Sequence, residues 1–240
     1  MAIACYLAMT PGEVSACPQL PAKTAWMACH FSSSGAGISN LPSELPDGAM
    51  LILDDSIPFN GHDLSLISRE LSQAVEQLDV QSVLLDFQRP NVPQVQTLTE
   101  TLVSALPCLV GVSAPYARGL DCPVFLPPLP LDQCLEEYLT PHKGREVWLD
   151  MAPGCGQYHI HFQGNQYIPL PPDAFPPGPF RDNTLRCCYA TGVTDDGVTF
   201  SLYRGPEELE KLLKDAEMLG VSTAIALYQE LASLSAFSSF

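Results

Sequence analysis

At 240 residues, 46% of them hydrophobic, the chain has the length of one α/β barrel and the composition of a folded protein rather than a disordered one. Its 27 acidic residues against 11 basic ones give a formal charge of −16, which excludes a nucleic-acid backbone or an anionic membrane surface, since phosphates need clustered Lys and Arg. Neutral or cationic ligands, uncharged sugars among them, fit that electrostatic background.

Short apolar runs alternate with helix-period segments, the signature of βα repetition and a mainly parallel sheet. The runs are Ile3–Ala8, Trp26–Phe31, Met50–Asp54, Val83–Phe87, Cys108–Val112, Val124–Leu126, Val147–Met151 and Thr223–Leu227. Eight strands close a barrel of this class, so the predicted fold is a (β/α)8 TIM-type barrel, one domain spanning 1–240.

The first two connections, Thr10–Lys23 and Ser32–Gly48, are rich in Pro, Gly and Ser and read as loops, which makes the early βα units irregular. Asp63 then caps a helix whose stripe is Leu64, Ile67, Leu71, Ala74, Val75 and Leu78. Asn91 is the expected cap of the next, with Pro93 near its start, and Asp132 opens a shorter one through Leu139. Many of the 23 prolines fall between Pro115 and Pro179 and read as rigid surface connections.

Two β-hairpins are inserted late. Tyr158, Ile160 and Phe162 alternate up to Gly164-Asn165, and Tyr167-Ile168 return. Leu185–Thr191 and Val198–Tyr203 then flank the Asp-Gly turn at Asp196-Gly197. Gly205-Pro206-Glu207-Glu208 opens the clearest helix, with proline at its first position and acids in its first turn, closing at Gly220.

Nine cysteines without a CxxC pair, no run of about 20 apolar residues, and no basic segment ahead of an apolar core in Met1–Met9 together predict a cytoplasmic chain with small buried thiols. His159 and His161 share a strand face, but no third ligand accompanies them, so neither a metal nor another cofactor is expected. Phosphate-loop, nucleophile-elbow and dinucleotide fingerprints are absent from the sequence.

In such a barrel, chemistry sits at the C-terminal ends of the strands. Those positions hold Tyr6, His30, Asp54, Asp55, Asp86, Gln88, Tyr116, Asp150, Tyr228 and Gln229. Asp86 and Gln88 are two apart on the fourth strand, hence on one face. Of Asp54 and Asp55 only one can face inward, and the pair also reads as a turn acid capping the next loop. Asp86 has a structural reading as well, a buried aspartate satisfied by backbone donors.

The run Gln81-Ser82-Val83-Leu84-Leu85-Asp86-Phe87-Gln88 resembles the strand-four motif of the family 18 glycoside hydrolases, DGxxxDxE. The resemblance implies that Asp86 matches the aspartate assisting the substrate's N-acetyl group. Gln88 falls on the glutamate that acts as general acid, Gln81 on the first aspartate and Ser82 on the glycine. The order Val198–Tyr203, Gly205–Gly220, Val221–Glu230 is similar to the hairpin, helix and last strand of small family 18 barrels, with Tyr228 nearest the aromatic at that strand's mouth. The sixth strand, Val124-Phe125-Leu126-Pro127, lacks the family's Tyr-Asp pair.

A glutamine has no titratable proton near neutral pH, so it cannot protonate a leaving oxygen, although it still hydrogen-bonds. The expectation is therefore a catalytically degenerate, non-enzymatic barrel binding a neutral glycan or a partner through Asp86, Gln88, Tyr116 and Tyr228. Two rivals stand beside it. One is an active hydrolase on N-acetylglucosamine glycans whose acid has moved to Asp150, Asp55 or Glu230. The other is a scaffold with a plugged mouth and an apolar patch elsewhere. The ligand and the oligomeric state are not legible in the sequence.

Overall fold

The computed structural model describes residues 2–21, 23–162, 164–171, 174 and 180–231. Its elements are, in chain order, β1 (Ala4–Met9), α1 (Pro11–Ala16), β2 (Thr24–Phe31), β3 (Ile38–Ser39), β4 (Met50–Asp54), α2 (Leu64–Gln77), β5 (Ser82–Asp86), α3 (Pro93–Ala105), β6 (Leu109–Ser113), β7 (Val124–Leu126), α4 (Leu135–Leu139) and β8 (Val147–Asp150). They continue with β9 (Gly154–His161), β10 (Gly164–Leu170), β11 (Phe180–Asp182), β12 (Cys187–Thr194), β13 (Gly197–Arg204), α5 (Pro206–Met218), β14 (Thr223–Leu227) and α6 (Tyr228–Leu231).

All eight expected strands are present, and they close. The parallel order is β1-β2-β4-β5-β6-β7-β8-β14, and β14 returns to β1 with Ala4 opposite Thr223. Alternation along each strand divides the apolar residues into two layers. Tyr6, Ala25, Met50, Ile52, Leu84, Phe125, Trp148 and Ile225 fill the barrel interior. Leu7, Leu51, Leu53, Val83, Leu85, Val112 and Leu149 point outward and meet Ile67, Leu71, Leu98, Leu102, Leu209 and Leu212 of the helices. The Trp148 ring lies against Gly111, which has no side chain to dispute the space.

The early units are irregular, but not in the way the composition suggests. Thr10 and Glu13 form a reciprocal capping box that starts α1 inside a segment read as loop. The helix has only six residues, too few to show a periodic stripe. The second connection holds no helix; β3 folds back antiparallel on β2.

Asp63 caps α2 through bonds from the Ser65 and Leu66 amides. Asn91 does not cap α3: it adopts φ +64° in the preceding turn, and Val92 takes the cap position without a side-chain bond. Asp132 does not open α4 either, which begins three residues later, after Cys134. Pro206 starts α5, and Gly220, at φ +86°, follows its end.

The two hairpins merge into one antiparallel sheet of order β10-β9-β13-β12-β11, inserted between β8 and α5. Pro172, Pro176, Pro177 and Pro179 of the proline-rich stretch lie outside the described residues. Cys5, Cys29, Cys155, Cys187 and Cys188 are buried, and burial pushes the Cys5 and Cys29 thiols up to about 11 and about 12.

Candidate functional site

The C-terminal rim of the barrel is built by strand register. His30, Asp54 and Asp86 are partners across β2, β4 and β5 and so stand side by side at one level. On β5 the outward residues Val83 and Leu85 enter the helix-facing core and Leu84 the interior, so Asp86 follows Leu84 onto the inner face. By the same alternation Asp54 lies above Ile52, and Asp150 above Trp148.

Gln88 directly follows this strand, and its Nε2 donates to Asp86 Oδ1. Burial raises the Asp86 carboxyl above the usual aspartate range; the Gln88 bond works against that, and the charges of Asp54 and Asp55 add to it. Asp150 goes further, to about 7, through burial first, then the charges of Asp86 and Glu230, with the Met151 amide pulling the other way. Burial also raises Glu230, whose buried Oε2 has no hydrogen-bond partner among the described residues.

The turn carrying Gln88 is held by four side chains. Asp55 is buried, and its two carboxylate oxygens accept the Gln88 amide at 3.0 Å and the Arg89 amide at 2.8 Å. Arg89 reciprocates, donating from Nε and Nη2 to the carbonyls of Asp55 and Ser56. Ser113, at the end of β6, accepts from the Phe87 amide and donates to the Phe87 carbonyl. The Tyr116 hydroxyl donates to the Arg89 carbonyl and accepts from the Val92 amide at 3.3 Å. Residues 87–92 thus form a braced turn rather than a loose loop.

The structure brings Asp86 and Gln88 together and sets the two tyrosines elsewhere. Tyr116 is buried in the helix-facing layer, edge-on to Phe87, with its hydroxyl committed to backbone. Tyr228 also packs on the outer layer, with its hydroxyl 3.8 Å from Cys17 Sγ. Its inward neighbour at the end of β14 is Leu227. Both rings thus pack against the helix-facing layer rather than among the interior side chains. Of the paired acids, Asp54 occupies the rim and accepts the Ser56 amide, while Asp55 is the brace.

The residues missed from the sequence are Arg89 and Ser113 of the brace. Only Asp55, as a turn acid beside an inward aspartate, left a signal. His159 and His161 stack at 5.5 Å but point to different partners, Gln157 and Asp196.

The backbone aligns over nearly its whole length with solved barrels. A Cycas revoluta family GH18 chitinase, in complex with allosamidin, is 10% identical at a TM-score of 0.60, over 98% of this chain and 97% of that one. The fold is that of the family 18 chitinases. A chitinase-like agglutinin from Robinia pseudoacacia is 12% identical at a TM-score of 0.56, over 98% and 97%. The Bacillus cereus spore cortex-lytic enzyme is 9% identical at 0.55, over 97% of this chain and 71% of that one. No protein-family model and no curated protein matches the sequence. At these identities the likeness is one of family 18 architecture, and the site has to be argued from its own residues.

Proposed function

We propose that this family 18-type barrel binds an N-acetylglucosamine-containing glycan at its C-terminal mouth without cleaving it by the glutamate route. The observation that carries this reading is Gln88, held by the Asp55 brace and hydrogen-bonded to Asp86 on the rim. An amide at that place cannot deliver a proton to a glycosidic oxygen, yet it offers two N–H donors and a carbonyl to sugar hydroxyls. Asp86 adds a carboxylate acceptor beside it.

Three comparisons support the reading. The barrel shares its fold with chitinases and with a chitinase-like agglutinin. A double mutant of the Cycas revoluta chitinase, with one glutamate replaced by glutamine, forms a complex with (GlcNAc)4. Glutamine in such a barrel is thus compatible with holding the oligomer in that protein.

A second reading rests on Asp150, a rim carboxyl that burial and the charge of Asp86 push up to about 7. It has the protonation state of a general acid and stands in the field of Asp86. Under that reading the protein hydrolyses the same glycan class, and Asp150→Asn abolishes the activity.

Titration calorimetry with N-acetylglucosamine oligomers, alongside incubation with their fluorogenic derivatives, separates the two. Binding heat without fluorophore release supports the recognition reading. Release that disappears in Asp150→Asn supports the second, and silence in both assays removes the glycan.

A further inference from the structure

At the N-terminal end of the barrel, opposite the rim, the chain encloses a second cavity. Its volume is about 270 Å³, and it lies between the turn that precedes β8 and the segment that joins α5 to β14. Val147 opens β8 there, three residues before Asp150, so the cavity lies roughly 10 Å below the rim along that strand. Leu139, Val147, Leu219 and Val221 give it apolar walls.

Its polar lining has the opposite sign from the molecule. Acidic residues outnumber basic ones 27 to 11 in the chain, yet His142, Lys143 and Arg145 line this cavity against a single acid, Glu136. Nothing nearby cancels that charge. Arg145 spends its Nη2 on the carbonyls of Ala117, Leu120 and Cys122, at 3.0, 3.0 and 3.1 Å, so neutral acceptors hold the guanidinium in place. Among the described residues neither Arg145 nor Lys143 forms an ion pair, whereas Arg181 and Lys211 share Glu207 and Arg186 takes Asp215.

The next acid in the chain is engaged elsewhere: Glu146 Oε1 accepts from Trp148 Nε1 at 3.3 Å and from the Ser222 hydroxyl at 2.7 Å. The end of α5 would favour a cation through its carbonyls. Those of Asp215, Ala216 and Glu217 are already occupied by the amides of Leu219, Val221 and Gly220. Burial first, and then the Arg145 charge, lowers the pKa of His142, which adds a hydrogen-bonding ring rather than a third charge.

We propose that this cavity binds a small monoanion with an apolar body, of the class of aryl or short-chain carboxylates. Lys143 and Arg145 supply the positive field for the head group, and the four aliphatic side chains receive the hydrocarbon part. A single negative charge is favoured over two because Glu136 shares the lining and repels a dianion twice as strongly. The volume falls just below the roughly 300–1,000 Å³ of drug-sized sites, which suits one small molecule and not a glycan chain. The site is separate from the mouth, and the inference stands whether or not the rim holds a sugar.

Benzoate is the probe, with benzylamine, benzyl alcohol and inorganic phosphate as controls, each titrated into the full chain at low salt and followed by proton–nitrogen NMR correlation spectra. Benzoate should give saturable shifts at the Gly144 and Gly220 amides, bind more weakly as salt is added, and raise the His142 pKa, since a bound anion favours imidazolium. Lys143→Gln removes the charge of an exposed side chain that makes no ion pair among the described residues; it should weaken benzoate about threefold to fivefold and leave the melting midpoint unchanged. Leu219→Glu sets a second carboxylate in the wall and should weaken it about tenfold. Benzylamine or benzyl alcohol binding as tightly as benzoate would overturn the assignment of charge, and phosphate binding as tightly would overturn the apolar body. Shifts that miss residues 139–147 and 219–221, an affinity unchanged in either variant, or no saturable shift at all would overturn the site.

Discussion

Replacing Asp150 by asparagine should stabilise the protein above neutral pH and flatten its pH dependence. In the folded barrel, burial and the Asp86 charge hold this carboxyl's affinity for its proton up to about 7. In the unfolded chain it titrates near 4. Between those values the folded state binds a proton that the unfolded state has released, so stability falls as the pH rises through the interval. The contribution is fully present below about pH 4 and lost above about pH 7. A gap of roughly three pH units, at about 1.36 kcal/mol each, bounds the effect near 4 kcal/mol. The variant has nearly the same shape and no charge to bury. Urea unfolding at pH 5 and pH 8 should show the wild type losing a few kcal/mol between them and the variant losing far less. Parallel losses in the two proteins would mean that Asp150 is not buried in the field of Asp86, and the second catalytic reading would go with it.

The other expectations concern the rim and its brace. Gln88→Glu places a protonatable group beside Asp86, whose charge raises its pKa; hydrolysis of a fluorogenic oligomer should appear, and a variant that binds but releases nothing would show that position 88 is not what blocks cleavage. Asp55→Ala strips two buried amide bonds from the Gln88 turn, which should cost about 2–4 kcal/mol in urea unfolding and weaken glycan binding as Gln88 loses its place. Gly111→Ala drives a methyl group into the Trp148 ring and should cost about 1–3 kcal/mol of stability, read from the shift in unfolding midpoint.

The sequence determined the strands, because a parallel barrel strand is buried on both faces and reads as a short apolar run whatever surrounds it. It also determined that Asp86 and Gln88 share a face, since period two is a local property of extended backbone. It revealed α2 and α5, helices of 14 and 13 residues whose stripes and caps are local in the chain. Short or weakly marked elements were illegible: α1 covers fewer than two helical turns, and Asn91 and Asp132 look like caps until the turns around them are known.

Only the tertiary structure decided what each polar group does. Tyr116 and Tyr228 follow β6 and β14, where a sugar-stacking ring would sit, but both pack against the outer layer, and the Tyr116 hydroxyl is bound to backbone. Asp55 and Tyr116 meet the Gln88 turn across sequence separations of 33 and 27 residues, and Ser113 meets it across 26. Burial and the neighbouring charge set the proton affinity of Asp150, and both come from strands far away in the chain. Hydrophobic periodicity is written locally and survives reading along the chain, whereas hydrogen bonds and electrostatic fields act through space and exist only once the barrel has closed.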